Sequence, residues 1–137
     1  GQIKKAVPRK YLYEKLIALK FQLPVIISPR SYVSPHAKLG SGTIVMHDAL
    51  VNAGAKVGKN CILNTKSLIE HDAEIGDHCH ISTGSILNGN AQVGQESFVG
   101  SGAVVREGVR IGVQSLVAGG TRVMKDVPDN SSYKNSL

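Results

Sequence analysis

From Ile27 onward an aliphatic residue returns every six positions without a slip. The series runs Ile27, Val33, Leu39, Val45, Val51, Val57, Leu63, Ile69, Ile75, Ile81, Leu87, Val93, Val99, Val105, Ile111, Val117 and Val123, seventeen blocks in one phase. The fifth position of each block is small or β-branched, from Ser31 and Ala37 through Cys61, Ala73 and Cys79 to Thr121 and Val127. A period of six suits the two-residue repeat of a strand and fails the repeat of a helix. The fifth residue and the next aliphatic lie two apart, so both point to one side of a short strand. Three blocks then make one coil, and coils stacked about 4.8 Å apart set each aliphatic above its equivalent. The expectation is an all-β parallel β-helix of about six coils, on the order of 27 Å long. Second positions often carry Gly or Asn, as at Gly40, Asn52, Gly58, Asn64, Gly76 and Gly94. These read as the residues that turn the chain between faces.

The flanks are different in kind. Leu12, Leu16, Leu19 and Leu23 recur at helical spacing, with lysines between them. This predicts an amphipathic helix starting near Pro8 and stopped before Pro24. Three segments result: a helical stretch over 1–24, a β-helix over 25–128 and a polar tail over 129–137, with loose order expected from Asp126 to Leu137. The net charge of +6 is concentrated in the first segment, where Lys4, Lys5, Arg9, Lys10, Lys15 and Lys20 face only Glu14. The remainder is close to neutral, with no Trp and few aromatic residues, which argues against a nucleic-acid partner. No apolar run is long enough for a membrane span and no signal-peptide pattern is present, so a cytoplasmic protein is expected. The chain begins at Gly1 rather than Met and is expected to be a processed product or a fragment.

The titratable residues offer few constellations. Cys61 and Cys79 are one coil apart in the inward fifth column, and reduced buried thiols are expected there rather than a disulfide. His71, His78 and His80 do not reproduce the ligand spacing of a carbonic anhydrase-type β-helix, and no metal is expected. A general base needs a nitrogen that titrates near neutrality and a partner that fixes its tautomer. His71-Asp72 and His47-Asp48 both offer an adjacent carboxylate, and for His47 a solvated surface group is the expected reading.

The segment from Asn64 to Ser82 contains Asn64-Thr65, His71-Asp72, Ile75-Gly76 and His80-Ile81-Ser82. Leu87-Asn88-Gly89-Asn90, Val99 to Val105 and Lys125-Asp126-Val127-Pro128 follow in order. Together they resemble the sialic acid O-acetyltransferase and UDP-amino-sugar N-acetyltransferase family (NeuD/PglD type), over roughly residues 8 to 130. The resemblance implies a left-handed coil and acetyl-CoA as co-substrate. It also implies a sugar acceptor, either a sialic acid hydroxyl or the amine of a nucleotide-linked sugar. By the same resemblance His71 is the general base and Asp72 orients it. His80, Ser101 and Gly119 contact the coenzyme, and Asn64 lies in the acceptor site.

The eighteen-residue coil tests these roles. Thr83, Ser101 and Gly119 form one column, with His80 just before it. His71 and His80 are half a coil apart and fall on opposite sides of the prism, so one subunit cannot bring both to one substrate. A homotrimer with active sites between subunits satisfies the geometry and agrees with the family's usual assembly. The family also begins with a small nucleotide-sugar-binding domain, of which residues 1–24 are at most a remnant, and no Gly-rich phosphate loop follows a strand here. Two other classes stay open: a non-catalytic trimeric assembly module and a zinc enzyme of carbonic anhydrase type.

Overall fold

A computed structural model describes residues 4–135. One helix, α1 (Val7–Ala18), precedes seventeen two-residue strands that recur every six residues, from β1 (Ile26–Ile27) to β17 (Arg122–Val123), and a last strand, β18 (Ser132–Tyr133). Each of the seventeen consists of the sixth residue of one block and the first of the next. Every third strand pairs in parallel, giving a first sheet β1-β4-β7-β10-β13-β16-β18, a second sheet β2-β5-β8-β11-β14-β17 and a third sheet β3-β6-β9-β12-β15. The register is one coil throughout, for example His80 beside Phe98 and Leu68 beside Ile86. The chain is therefore a three-sided parallel β-solenoid, as the hexad phase predicts.

The core is the column set read from the sequence. From Val45 to Val123 every first-position aliphatic is buried, and the fifth positions between them fill the remaining space. Ile26, Ile27 and Tyr32 stay exposed because no coil lies beneath them. Polar atoms inside are satisfied by a ladder along one edge: Thr43, Cys61, Cys79 and Ser97 each donate to the carbonyl of Gly58, Gly76, Gly94 or Gly112. Both cysteines are free and buried, and burial pushes the Cys79 thiol well above its ordinary range.

The turns differ from the sequence expectation. Positive φ falls at the fourth position of the blocks, as at Asp48 (58°), Asp72 (59°), His78 (61°) and Gly120 (66°), not at the second. Second-position glycines answer a packing demand instead: a Cβ on Gly94 would lie 2.6 Å from the backbone of Gly112 in the next coil.

The flanks also differ. Helix α1 ends at Ala18, where Lys20 adopts a left-handed φ of 65° and Phe21 N–H returns to the Leu16 carbonyl. That is a Schellman ending, so Pro24 is not what stops the helix. Only half of the leucine stripe docks: Leu12 and Leu19 are 56% and 59% exposed, while Leu16 and Leu23 are half-buried and face the solenoid with Arg9 and Tyr13. The tail is not loose as far as it is described. Val127 bridges to Ile111 and Tyr133 pairs with Val117, each sixteen residues away, so a shortened coil closes the stack.

Candidate active site

His71 and Asp72 occupy the corner between β8 (Leu68–Ile69) and β9 (Glu74–Ile75), where the second sheet turns into the third. The left-handed φ of Asp72 folds its carboxylate back, and His71 Nδ1 lies 3.0 Å from Asp72 Oδ2. Both side chains are open to solvent, 61% and 59% exposed. With the proton on Nδ1, that N–H donates to Asp72 Oδ2, and the Nε2 lone pair is left outward as a proton acceptor. Space for this pair comes from adjacent coils. A Cβ on Gly54 would lie 2.1 Å from Asp72 Oδ1, and one on Gly89 would lie 2.6 Å from His71 Nε2. Glu70 braces the corner, since its Oε2 accepts from Asn52 Nδ2 at 2.7 Å and from the His71 backbone N–H at 3.4 Å. Glu70 and Gly54 were not singled out from the sequence, and Gly89 entered only within the Leu87–Asn90 motif. The coil period could have found the glycines, because Gly54 is one coil before Asp72 and Gly89 one coil after His71.

The His47-Asp48 pair is not built this way. His47 Nδ1 bonds Ser28 Oγ at 2.6 Å and Asp48 pairs with Arg30 at 2.8 Å, so the imidazole and carboxylate are engaged elsewhere.

His80 opens strand β10 (His80–Ile81) of the first sheet and is buried, its ring edge-on to Phe98 at 5.2 Å. Asn64 reaches it from the coil below. The Thr65 N–H donates to Asn64 Oδ1 at 2.7 Å, which turns the amide NH2 toward His80 Nε2, 3.2 Å away. Nε2 is thus an acceptor and the ring proton sits on Nδ1. Asn64, placed by sequence with the acceptor, is in the structure a direct neighbour of His80.

Thr83, Ser101 and Gly119 lie exposed in one column at the corner between the first and second sheets. Ser82 and Ser101 hydroxyls bond at 2.9 Å, and the Gly120 N–H donates to the Ser101 carbonyl. Beside them Gly84, Gly102 and Gly120 each have open space where a side chain would stand. The result is a smooth edge along which an extended ligand can lie against the backbone, which fits the arm of a coenzyme. The His71 corner faces the first sheet across the triangular section, so His71 and His80 are on opposite sides within one chain.

Elsewhere, His78 packs edge-on against Tyr13 at 5.5 Å and bonds Asn60 at 2.9 Å, and burial pulls its pKa below the ordinary value. Among the described residues no three His, Cys, Asp or Glu side chains converge as metal ligands, and no helix is long and apolar enough to cross a membrane.

Comparison with known proteins agrees on the class that such a prism defines, the hexapeptide-repeat transferases. Residues 54–89 match the bacterial transferase hexapeptide (six repeats), and residues 91–125 match the hexapeptide repeat of succinyl-transferase, together more than half of the chain. The chain belongs to this family. No curated protein matches it by sequence. Among solved structures it is similar to the acetyltransferase domain of PglB from Neisseria gonorrhoeae FA1090, in complex with acetyl coenzyme A. There the identity is 34% and the TM-score 0.95, over 97% of this chain and 65% of that one. It is equally similar to PerB from Caulobacter crescentus, in complex with CoA and GDP-perosamine (35% identity, TM-score 0.94, 97% and 64% covered). WeeI from Acinetobacter baumannii AYE follows at 25% identity and a TM-score of 0.92, over 97% and 65%. The chain thus spans just under two thirds of the length of each.

Proposed function

We propose that this chain is the catalytic β-helix of an acetyl-CoA-dependent sugar acetyltransferase that acts on the amine of a nucleotide-linked amino sugar. The single observation that carries the reading is the exposed His71-Asp72 pair, with its Nε2 cleared by Gly89. The GDP-perosamine bound to PerB supports an amine over a sialic acid hydroxyl. Acetyl-CoA supplies an activated acetyl thioester. His71 Nε2 takes a proton from the acceptor amine as its nitrogen attacks the thioester carbonyl, and Asp72 stabilises the imidazolium that forms. His71 then returns the proton to the departing thiolate. Asn64 and His80 line the coenzyme side, and the edge at Ser101 and Gly119 carries the coenzyme arm.

The active unit in this reading is a homotrimer. Leu50, Leu68, Ile86 and Val104 form an outward apolar stripe on the second sheet, whereas the third sheet presents Lys38, Lys56, Glu74, Gln92 and Arg110. The second sheet is bordered by the His71 corner on one side and the Ser101–Gly119 edge on the other. Three chains joined through this sheet bring the His71 of one to the coenzyme edge of the next.

The test is thiol release from acetyl-CoA with UDP- and GDP-linked amino sugars and with sialic acids as acceptors. Release that requires an amino-sugar nucleotide and is lost in His71→Ala supports the reading. Release with sialic acid alone would move the reaction to O-acetylation, and absence of acetyl-CoA binding would leave an assembly module.

A further inference from the structure

Helix α1 touches the solenoid at the corner between the third and first sheets, and the centre of that contact is Arg9. Nη1 donates to the Asn60 carbonyl, and Nη2 donates to the carbonyls of His78 at 3.0 Å and Cys79 at 3.4 Å. Among the described backbone bonds, neither the Asn60 nor the His78 carbonyl receives a ladder hydrogen bond. One guanidinium therefore ties corner carbonyls of two successive coils, and Asn60 Nδ2 answers by donating to the Arg9 carbonyl at 3.4 Å. Asn60 and His78 are both left-handed, with φ of 53° and 61°, so these are the bent points of the two coils. Cys79 is the residue immediately before His80. Around the buried His80 lie Ala6, Arg9, His78, Glu96 and Phe98. Lys10 clamps Glu96 from the same helix at 3.3 Å.

The arrangement costs something, because Arg9 Nε is buried without a hydrogen-bond partner among the described residues. A planar fork suits this task and an ammonium does not, since two separate arms must reach two coils at once.

We propose that Arg9 is a positioning residue for His80: by fixing the main chain at Asn60, His78 and Cys79 it sets the strand that presents the His80 ring to the coenzyme. Helix α1 then serves the coenzyme side of the site, whereas a remnant of a nucleotide-sugar domain would serve the acceptor. The proposal rests on the acetyltransferase reading for its functional consequence, and on geometry alone for its effect on His80.

The experiment compares the wild-type chain with Arg9→Ala and Arg9→Lys. It reads acetyl-CoA affinity, KM for each substrate, and the ring-nitrogen NMR signals of His80, assigned through His80→Gln. Arg9→Ala is expected to weaken acetyl-CoA binding about tenfold while KM for the acceptor stays within about twofold. The His80 ring signals should move away from the Nδ1-protonated pattern, and Arg9→Lys should fall between the two. Should Arg9→Ala fail to fold, Arg9→Lys carries the same comparison. A folded variant with His80 signals and acetyl-CoA affinity like wild type would overturn the proposal. Wild type that binds no acetyl-CoA would overturn the acetyltransferase reading instead, and the His80 signals would still decide the role of Arg9.

Discussion

His71 has a carboxylate on one nitrogen and open space at the other because two neighbouring coils omit a side chain beside it. His71→Ala is expected to lower kcat/KM by about 10²–10⁴-fold, the usual contribution of a general base, with the circular dichroism spectrum unchanged. Gly89→Ala should act through the same atom. Its methyl group would press on Nε2 from 2.6 Å, so turnover falls while the thermal midpoint stays close to wild type. Gly58→Ala is the contrast, because its Cβ would meet the Asp77 backbone nitrogen at 2.7 Å and that nitrogen belongs to the coil itself. It should cost stability, about 1–3 kcal/mol by chemical denaturation, and do little to the chemistry of the molecules that remain folded. At this scale the sequence was partly legible. Histidine next to aspartate is visible in any alphabet, but a base needs vacant space as much as a partner. Vacancy is written in glycines a full coil away. The contact of Asn64 with His80 was not legible, since it crosses sixteen residues and depends on how the amide is turned by Thr65.

At the scale of elements, strands and sheets followed from the hexad phase because a two-residue period leaves the chain no helical alternative. The turns were harder. Glycine at the second position suggested backbone freedom, yet Asp, Asn, Lys and His take the left-handed turn at the fourth, where a neighbouring carbonyl receives their N–H. The helix was visible and its docked face only in part, because Leu16 and Leu23 do pack inward while Arg9, Tyr13 and Lys10 turn that face toward polar partners, away from Leu12 and Leu19. The tail escaped notice because its strand pairs out of phase, sixteen residues from its partner.

The contact under α1 carries a pH signature. Burial lowers the pKa of His78, so the folded state binds fewer protons than the unfolded state below the unfolded value of about 6.5. Stability from this group is complete above that pH and is lost as pH falls from there through the lowered folded value. Denaturant midpoints measured from pH 7.5 to pH 5 should decline, and His78→Gln should flatten the part of the decline that this residue causes. A profile identical to wild type in His78→Gln would show that the contact does not titrate.

For the whole molecule, the proposed assembly rests on the difference between the outer faces of the second and third sheets. In the proposed trimer the half-buried stripe of Leu50, Leu68, Ile86 and Val104 is covered by neighbouring copies, while the lysine- and glutamate-bearing third sheet is left to water. Ile86→Lys is expected to convert the trimer to monomer in sedimentation velocity and to remove activity with it, although Ile86 touches no substrate in this account. The proposed trimer also accounts for His71 and His80 lying half a coil apart, a spacing that a single chain's own site would not use.

Hybrid trimers test that central claim most directly. His71→Ala and His80→Ala chains are each expected to be inactive as pure trimers, and each keeps the residue that the other has lost. Co-expressed at equal levels, they should recover about a quarter of wild-type activity, because that fraction of interfaces joins an intact His71 to an intact His80. Hybrids verified as mixed trimers but as inactive as their parents would contradict the account, and would place both histidines in the service of one chain's own site.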